Sequence, residues 1–269
     1  MKAIRVHSFG GPEVLKLIDA PTPSPGMGEI LVRLHAIGVN PVDTYVRSGA
    51  RGKRVLPYTP GTDGAGVVEL VGPGVTKVAV GDRVFTSSTL SGAYAEYALC
   101  TPSQVHQLQA ETDFTVGAAL SIPYATAYRA LFQLGRIRAG ETVFIHGGSG
   151  GVGIATIQFA RACGARVIAS AGTARGLELV ERCGAHVGVD HTDPFYRERL
   201  INLTDGHGPN LVIEMLANRN LAHDLKLIAP RGRIIVVGNR GTIEIDPREA
   251  MMREATITGL SLFLSLIHI

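Results

Sequence analysis

The chain has 269 residues, which is enough for two domains, and its 45% hydrophobic and 18% charged residues exclude an intrinsically disordered protein. The net charge of +3 is too small to indicate nucleic-acid binding, although it mildly favours an anionic ligand. Three cysteines without a C-x-x-C pair argue against a disulfide framework or a structural zinc knot. No apolar run reaches the roughly 18 residues of a membrane span, and the N-terminus has no apolar signal core, so we expect a reducing cytoplasmic setting.

Short strands broken by glycine and proline are predicted up to about residue 120. Alternate residues from Ile30 to Ala36 are apolar, which is typical of a strand with one buried face. Further strands are predicted at 66–71 and 83–86. This half resembles a partly open β-barrel domain.

Strands alternate with helices after about residue 124. The predicted strands are 142–146, 166–170, 187–190, 211–215, 233–238 and 257–262, and the predicted helices include 154–163, 176–183 and 220–228. Six strands joined by crossover helices predict an α/β fold with a doubly wound parallel sheet.

A glycine-rich turn joins the first of these strands to the first helix, in the sequence TVFIHGGSGGVG at 142–153. Residues 148–153 fit G-x-G-x-x-G, and Gly164 is a plausible stop for the helix that follows. Glycines let the backbone approach a pyrophosphate, and the helix N-terminus offers free N–H groups. The turn therefore predicts dinucleotide binding; the alternative is a glycine-rich structural turn.

The end of the second strand indicates which dinucleotide is bound. Proteins that bind NAD usually carry Asp or Glu there, whereas this chain reads ASAGTAR at 169–175. A carboxylate would repel a 2′-phosphate, but Ser170, Thr173 and Arg175 could solvate one. We therefore predict NADPH rather than NADH; the alternative is that Arg175 simply begins a helix in solvent.

Several motifs in one order resemble the zinc-independent quinone oxidoreductases of the medium-chain dehydrogenase/reductase superfamily. They are FGGPEVL at 9–15, GVNPVDTY at 38–45, PGTD at 60–63, GDRV at 81–84 and the glycine turn. Three further segments, SSTLSGAYAEY at 87–97, IPYATAYRAL at 122–131 and EMLANRN at 214–220, are similar to zeta-crystallin-like NADPH:quinone reductases. The resemblance implies a GroES-like catalytic domain at 1–123 and an NADPH-binding Rossmann domain at 124–263.

Site residues follow from this resemblance. It implies catalytic roles for Tyr45, Asn40 and Asp43, with Tyr45 near the nicotinamide. The implied cofactor contacts are Tyr45, Thr126, Ser149, Gly150, Gly151, Val152, Gly172, Arg175, His191, Asn220, Val237, Gly238, Asn239, Arg240, Leu260, Ser261 and Leu262. Simpler alternatives are a surface histidine at His191, a core aromatic at Tyr45 and a solvated charge pair of Arg240 and Glu244. We expect structural roles for His35, His106 and His146.

We expect no metal, because the places of the zinc ligands in zinc-dependent relatives read GVN at 38–40 and GTD at 61–63. The structural lobe with four cysteines is also missing, so the three or four ligands that zinc needs do not assemble. A quinone is already electron-poor and needs no Lewis acid, so reduction by NADPH in an interdomain cleft is expected, with protons from solvent. Whether a hydride or single electrons are transferred stays open. Alternative functions are AU-rich RNA binding or a crystallin-type structural role, as in relatives, and reduction of enones or aldehydes.

The end of the chain departs from the resemblance. Relatives continue beyond the sixth strand with helices and return strands that complete the first domain, whereas residues 264–269 do not resemble the family. We expect 264–269 to be a non-native tail and the chain to be less stable than a full-length relative. Full-length relatives form dimers or tetramers, so a homo-oligomer is expected.

Overall fold

The structure is a computed structural model that describes residues 1–50, 52 and 54–262. The residues divide into two compact units, Met1–Ile122 and Pro123–Ile269. The tail expected at 264–269 lies outside the described residues. No helix among the described residues is both long and apolar enough to cross a lipid bilayer.

The first unit contains two antiparallel sheets. Its strands are β1 (Lys2–Val6), β2 (Leu15–Asp19), β3 (Ile30–Ile37), β4 (Asp63–Val71), β5 (Arg83–Ser87), β6 (Tyr97–Cys100) and β7 (Val105–Gln107). β1 pairs with β2, and the larger sheet has the order β6-β3-β4-β5-β7. The predicted GroES-like, partly open barrel architecture is confirmed by this arrangement.

The prediction of one buried face on β3 is only half right. Ile30 and Val32 are fully buried, but Leu31 on the opposite face is also buried. The register with β4 shifts between Leu31 and Val32, so a bulge changes the direction of the strand at that point. Both faces of this half of β3 are therefore covered, which a simple alternation does not predict.

Helices α1 (Pro41–Arg47) and α2 (Phe114–Gly117) belong to the first unit, and the boundary between the units falls within α3 (Ser121–Tyr128). Proline at the first turn of α1 suits a helix start, since its missing N–H would be unpaired there anyway. None of these three short helices was predicted.

The second unit is a six-stranded parallel sheet. Its strands are β8 (Thr142–Ile145), β9 (Arg166–Ala171), β10 (Val187–Asp190), β11 (Leu211–Glu214), β12 (Arg233–Val236) and β13 (Thr256–Gly259), in the order β10-β9-β8-β11-β12-β13. All six predicted strands and the doubly wound order are confirmed. β12 ends two residues before the predicted limit and β13 ends three before it.

Helices lie between these strands. They are α4 (Gly151–Ala162), α5 (Ala174–Arg182), α6 (Tyr196–Asn202), α7 (Ala217–Leu227) and α8 (Pro247–Arg253). α4, α5 and α7 match the predicted helices, and Gly164 beyond α4 has a φ of +80°, as expected for a glycine stop. Buried apolar clusters cover both faces of the sheet, one around Ile145 and Ile213 and the other around Phe144 and Val212.

Candidate functional site

The turn between β8 and α4 is tied to the neighbouring strand β9. The Gly148 N–H donates to the Ser170 carbonyl oxygen at 2.7 Å, and the Gly147 N–H donates to the Ser170 hydroxyl at 3.2 Å. Gly147 has a φ of +56°, a conformation that suits glycine. These contacts hold the turn at the carboxyl end of the sheet, where parallel α/β folds bind ligands.

The three glycines of the G-x-G-x-x-G motif have different surroundings. A Cβ on Gly148 would lie 2.8 Å from the Ala169 Cβ, and one on Gly153 would lie 2.4 Å from the Gly147 carbonyl oxygen. A Cβ on Gly150 would meet only the Gly147 carbonyl oxygen, at 3.4 Å. The outer glycines are therefore required by packing, whereas Gly150 leaves open space that a phosphate could enter.

Helix α4 begins without a side-chain cap. Gly150 is its N-cap residue, and the first turn contains no acidic side chain. The Thr173 hydroxyl, by contrast, caps α5 by accepting the Gly176 N–H at 3.1 Å. The uncapped N–H groups and the helix dipole of α4 suit an anion. Ser149, Gly151 and Val152, the implied pyrophosphate contacts, lie at this end of the helix.

The sequence-based role of Ser170 is wrong. Ser170 is fully buried and its hydroxyl accepts the Gly147 N–H, so it cannot reach a 2′-phosphate. Arg175, in the first turn of α5, is exposed, and the Thr173 hydroxyl is used as the helix cap. Arg175 is therefore the member of the predicted trio that remains available as a cation.

Gly172 and His191, which the resemblance assigns to the adenosine half of the cofactor, lie side by side. A Cβ on Gly172 would come within 2.8 Å of the His191 Nε2 atom. His191 is exposed and follows β10, so its ring borders the carboxyl end of the sheet next to β9. The implied adenosine contact of His191 and its alternative, a surface histidine, both stay predictions.

Three further implied contacts, in the segments after β11 and β12, are held by one residue. Glu214, the last residue of β11, accepts the Val237 N–H at 2.8 Å and the Gly238 N–H at 3.2 Å through its main-chain oxygen. Its side-chain Oε1 accepts the Leu216 N–H and the Asn220 amide. Asn220, Val237 and Gly238 are thus brought together by a residue that the sequence analysis did not assign.

The remaining implied contacts are less tightly connected. The Asn239 amide donates to the Gly241 carbonyl oxygen at 2.7 Å, and the Arg240 N–H donates to the Asn218 side chain at 3.0 Å. Leu260 donates its N–H to Val236, which continues the edge pairing past β13. The other three differ in exposure: Thr126 and Leu262 are buried, and Ser261 is partly exposed.

In the first unit, Asn40 and Asp43 belong to a polar network around the start of α1. The Asn40 N–H donates to Asp43 Oδ2 at 2.9 Å, and the Tyr94 hydroxyl donates to the same oxygen at 3.0 Å. The Asn40 side-chain amide donates to Asp63 Oδ2 at 2.9 Å. Asn40 and Asp63 are both buried, so this network is a built feature of the unit rather than a surface contact.

Burial controls the titration of this network. It raises the pKa of Asp63 to about 6, against the Asn40 amide and the Ile122 N–H, which both donate to the carboxylate and lower it. Burial also raises the pKa of Asp43, and burial together with the Asp43 charge raises the pKa of the Tyr94 hydroxyl. Asp63 can therefore hold a proton in the mildly acidic range.

Comparison with known proteins identifies the family. The profile described as "Alcohol dehydrogenase GroES-like domain" matches residues 26–110, and that described as "Zinc-binding dehydrogenase" matches residues 151–265. The chain is 52% identical to the quinone oxidoreductase of Rattus norvegicus over 267 residues, which are 98% of this chain and 81% of the rat protein. This chain belongs to the quinone oxidoreductase family. The resemblance seen in the sequence motifs is thereby confirmed.

Solved structures agree with this family. The crystal structure of Escherichia coli quinone oxidoreductase complexed with NADPH matches with a TM-score of 0.88 at 31% identity, over 97% of this chain and 81% of that one. A structure of an NAD-dependent alcohol dehydrogenase matches with a TM-score of 0.92 at 30% identity, over 99% of this chain and 87% of that one. Because both fit so well, the fold alone does not set the coenzyme, and the residues must be considered.

Tyr45, the third implied catalytic residue, lies on α1 and is partly exposed. Its hydroxyl has no hydrogen-bond partner among the residues that the structure describes. A partly exposed phenol without a partner is free to contact a ligand. The structure does not test that role, and Tyr45 stays a prediction.

Three polar side chains form a buried cluster in the second unit, and the expectation of no metal stays a prediction. His146, Glu214 and Asp224 are all buried, and they bring one ligand-type atom each within 4.8 Å of one another. His146 Nε2 lies 2.8 Å from Asp224 Oδ1 and 3.1 Å from Glu214 Oε2. The shorter of these two contacts is a hydrogen bond, and the His146 ring lies directly against both carboxyl groups.

Sequence reasoning missed Asp63, Tyr94, Glu214 and Asp224, and it gave His146 no role beyond structure. A local signal existed for Glu214, since a carboxylate at the end of a buried parallel strand is costly unless it is partnered. Asp63 is 23 residues from Asn40, and Asp224 is 78 residues from His146. No local pattern in the chain could have joined those partners.

Proposed function

We propose that this protein is an NADPH-dependent quinone oxidoreductase. The observation that carries the proposal is the uncapped N-terminus of α4 behind the open Gly150, in a chain 52% identical to the rat quinone oxidoreductase. Free N–H groups at a helix start, with no acid of the protein's own nearby, fit a diphosphate. Quinones are the substrate class because the rat relative carries that name and aligns with 98% of this chain at 52% identity.

The choice of NADPH rests on the end of β9. Residues 171–175 contain no carboxylate, so nothing there would repel a 2′-phosphate, and Arg175 offers an exposed guanidinium. The nearest acid along the sheet edge, Asp190, is engaged by Thr192, whose N–H donates at 2.8 Å and whose hydroxyl donates at 2.7 Å. The matched Escherichia coli enzyme, which is named as an NADPH complex, supports the same choice.

When bound, the nicotinamide supplies the reducing equivalents, and the chain provides binding, orientation and proton control. The N–H groups at the start of α4 hold the diphosphate, with Ser149, Gly150, Gly151 and Val152 forming its cradle. Gly172 and His191 contact the adenosine half. The remainder of the cofactor, as the resemblance to relatives implies, contacts Thr126, Asn220, Val237, Gly238, Asn239, Arg240, Leu260, Ser261 and Leu262.

We assign substrate contact to Tyr45, Asn40 and Asp43 in the first unit. The Asn40 amide uses one N–H on Asp63, which leaves its second N–H to donate to a quinone oxygen. The Tyr45 hydroxyl has no described partner of its own. Asp63 and Asp43, both with raised pKa values, can hold protons close to Asn40 during turnover.

The test is a fluorescence titration with NADPH and NADH, followed by stopped-flow mixing with ortho- and para-quinones. We expect Arg175→Ala to weaken NADPH binding about 5- to 10-fold, since it removes one exposed charge contact with the 2′-phosphate, and to leave NADH unchanged. Arg182→Ala, at the other end of α5, is the matched control. Tighter binding of NADH than NADPH, or no quinone reduction, would refute the proposal.

Finer parts of the proposal concern partners and location. All three cysteines are free, which supports a reducing cytoplasmic setting. A homo-oligomer is proposed from the relatives, and its test is light scattering.

RNA binding at the cofactor groove is an alternative to the enzyme proposal. If AU-rich RNA does not displace NADPH, the RNA-binding alternative is refuted. An enone or aldehyde panel separates the third alternative, because pocket shape sets that choice.

A further inference from the structure

Three buried polar side chains lie close together at the carboxyl end of the parallel sheet. His146 directly follows β8, Glu214 ends β11 and Asp224 lies on α7. Their exposed fractions are 5%, 0% and 1%. Two carboxyl groups without solvent need protons or donors to offset their charge.

Counting the donors shows that one proton is missing. Glu214 Oε1 accepts two N–H groups, from Leu216 and from the Asn220 side chain. The His146 Nε2 atom lies 2.8 Å from Asp224 Oδ1, which its N–H can satisfy. Glu214 Oε2 and Asp224 Oδ2 are buried without a donor. One proton shared between the two carboxyl groups supplies the missing donor.

We propose that Glu214, Asp224 and His146 form a proton-holding cluster that positions Asn220 and the strand ends beside it, so that NADPH binds best when the carboxyl pair retains its shared proton. Glu214 is a positioning residue, since it acts through Asn220, Val237 and Gly238. The inference rests on the proposed function, because it treats Asn220, Val237 and Gly238 as cofactor contacts.

The charges around the cluster define how it titrates. Burial raises the pKa of Glu214 to about 7, with His146 opposing and Asp224 adding to the rise. Burial likewise raises the pKa of Asp224, while Arg197 of α6 lowers it. Burial lowers the pKa of His146, with the Glu214 charge opposing and Arg197 adding to the fall. The histidine is therefore neutral at the pH where the pair would lose its proton.

Loss of that proton should disturb the cofactor side of the sheet. Two ionised carboxylates in contact repel each other, and the movement that separates them pulls Glu214 Oε1 away from Leu216 and Asn220. The same movement strains the main-chain contacts to Val237 and Gly238. NADPH affinity should therefore fall as the pH rises from 6 to 8.5.

The experiment measures the NADPH Kd of the whole protein at pH 6 and pH 8.5. We expect the wild-type Kd to rise about tenfold, which corresponds to one pKa unit of coupling between proton and cofactor. Glu214→Gln keeps the Oε1 acceptor and carries a permanent N–H donor toward Asp224, so its Kd should change less than about twofold. Asp224→Asn should behave in the same way, whereas Glu214→Ala should bind weakly at both pH values.

Glu178→Gln, an exposed glutamate on α5, is the control for loss of one negative charge, and it should retain the wild-type pH profile. Titration of the cofactor's own 2′-phosphate is common to all variants and cancels in the comparison. Hydrogen exchange of the Leu216 amide gives a second readout, which should lose protection at pH 8.5 in the wild type and keep it in Glu214→Gln.

Three results would overturn the cluster. The first is an equal pH dependence of NADPH binding and Leu216 exchange in the wild type and Glu214→Gln. The second is Glu214→Gln binding as weakly as Glu214→Ala at pH 6. The third is a stoichiometric divalent metal retained after dialysis against a chelator, since a cation would then replace the proton. Absence of NADPH binding at both pH values, with the exchange pattern intact, would instead refute the proposed function and the link to it.

Discussion

The N-termini of α1 and α4 carry the two groups of residues that the sequence assigned to chemistry, and they are built in opposite ways. At α1 the Asn40 N–H donates to the protein's own Asp43, and Tyr94 donates to the same carboxylate. At α4 the N-cap is Gly150, with no side-chain cap and no acid in the first turn. One helix start is satisfied internally, and the other is left for a ligand.

The difference shows where binding free energy is available. A helix start that already carries its own carboxylate gains little from an added anion, because its N–H groups and dipole are compensated. A bare start gains the full interaction when a phosphate arrives. The network at α1 therefore fixes geometry and holds protons, whereas the turn before α4 supplies affinity for the cofactor.

The largest expected effect comes from Gly153→Ala. Its methyl group would lie 2.4 Å from the Gly147 carbonyl oxygen and 2.7 Å from the Gly148 Cα, so the turn must move. We expect a loss of about 3 kcal/mol in the free energy of unfolding, measured by urea denaturation, together with loss of NADPH binding. Gly26→Ala, where the added Cβ meets only the flexible Glu29 side chain, should change neither. An unshifted denaturation midpoint for Gly153→Ala would show that the turn is not tightly packed.

Gly150→Asp would make α4 resemble α1. The new carboxylate caps the helix and repels the diphosphate, so the melting temperature without cofactor should rise while the NADPH Kd increases about 100-fold. Calorimetry and fluorescence titration measure the two effects separately. Gly150→Asn provides the cap without the charge, and it should lose less affinity. If Gly150→Asp binds NADPH as the wild type does, the diphosphate is not held at α4.

Asp63→Asn tests the internal network at α1 through its pH dependence. The Asp63 pKa is about 6 in the folded chain and 3.8 ordinarily, so the folded state binds more protons between those values. The stability contributed by that proton is present below pH 4 and is lost as the pH rises through 6. The free energy of unfolding of the wild type relative to Asp63→Asn should therefore fall by about 2 kcal/mol from pH 4 to pH 7.

The control for this variant is Asp19→Asn, which removes an exposed carboxylate paired with Lys2. Denaturant titrations across the pH range should show no comparable pH dependence in the free energy of unfolding of the wild type relative to Asp19→Asn. A flat profile for Asp63→Asn relative to the wild type would mean that the Asn40, Thr62 and Ile122 donors balance the effect of burial on the Asp63 pKa.

Sequence reasoning found the second unit more completely than the first. Parallel strands buried on both faces give continuous apolar runs, such as 211–213 in β11, and helices with a periodic face separate them. β1, β2, β6 and β7 were missed because their pairings are long-range or their segments are short. β6, for example, pairs with β3, and its residue Tyr97 lies opposite Arg33, which is 64 residues earlier in the chain. Local patterns do not record such contacts.

The candidate site divides in the same way. The glycine turn is local, so its strand, turn and helix could be predicted from consecutive residues. The role of Ser170 could not, because its hydroxyl is consumed by a turn 23 residues earlier in the chain. Asp63 and the cluster of His146, Glu214 and Asp224 depend on which distant segments meet in the core.

The tie between Ser170 and the glycine turn has a practical consequence for redesigning coenzyme preference. A carboxylate placed at 170 would be enclosed and would release Gly147, and one at 172 would have to displace His191. Thr173 is needed to start its helix. Ala174 and Arg175 are exposed to solvent at that same helix start, where the helix dipole stabilises an acidic side chain. Engineers wishing to recruit NADH should begin at those two positions.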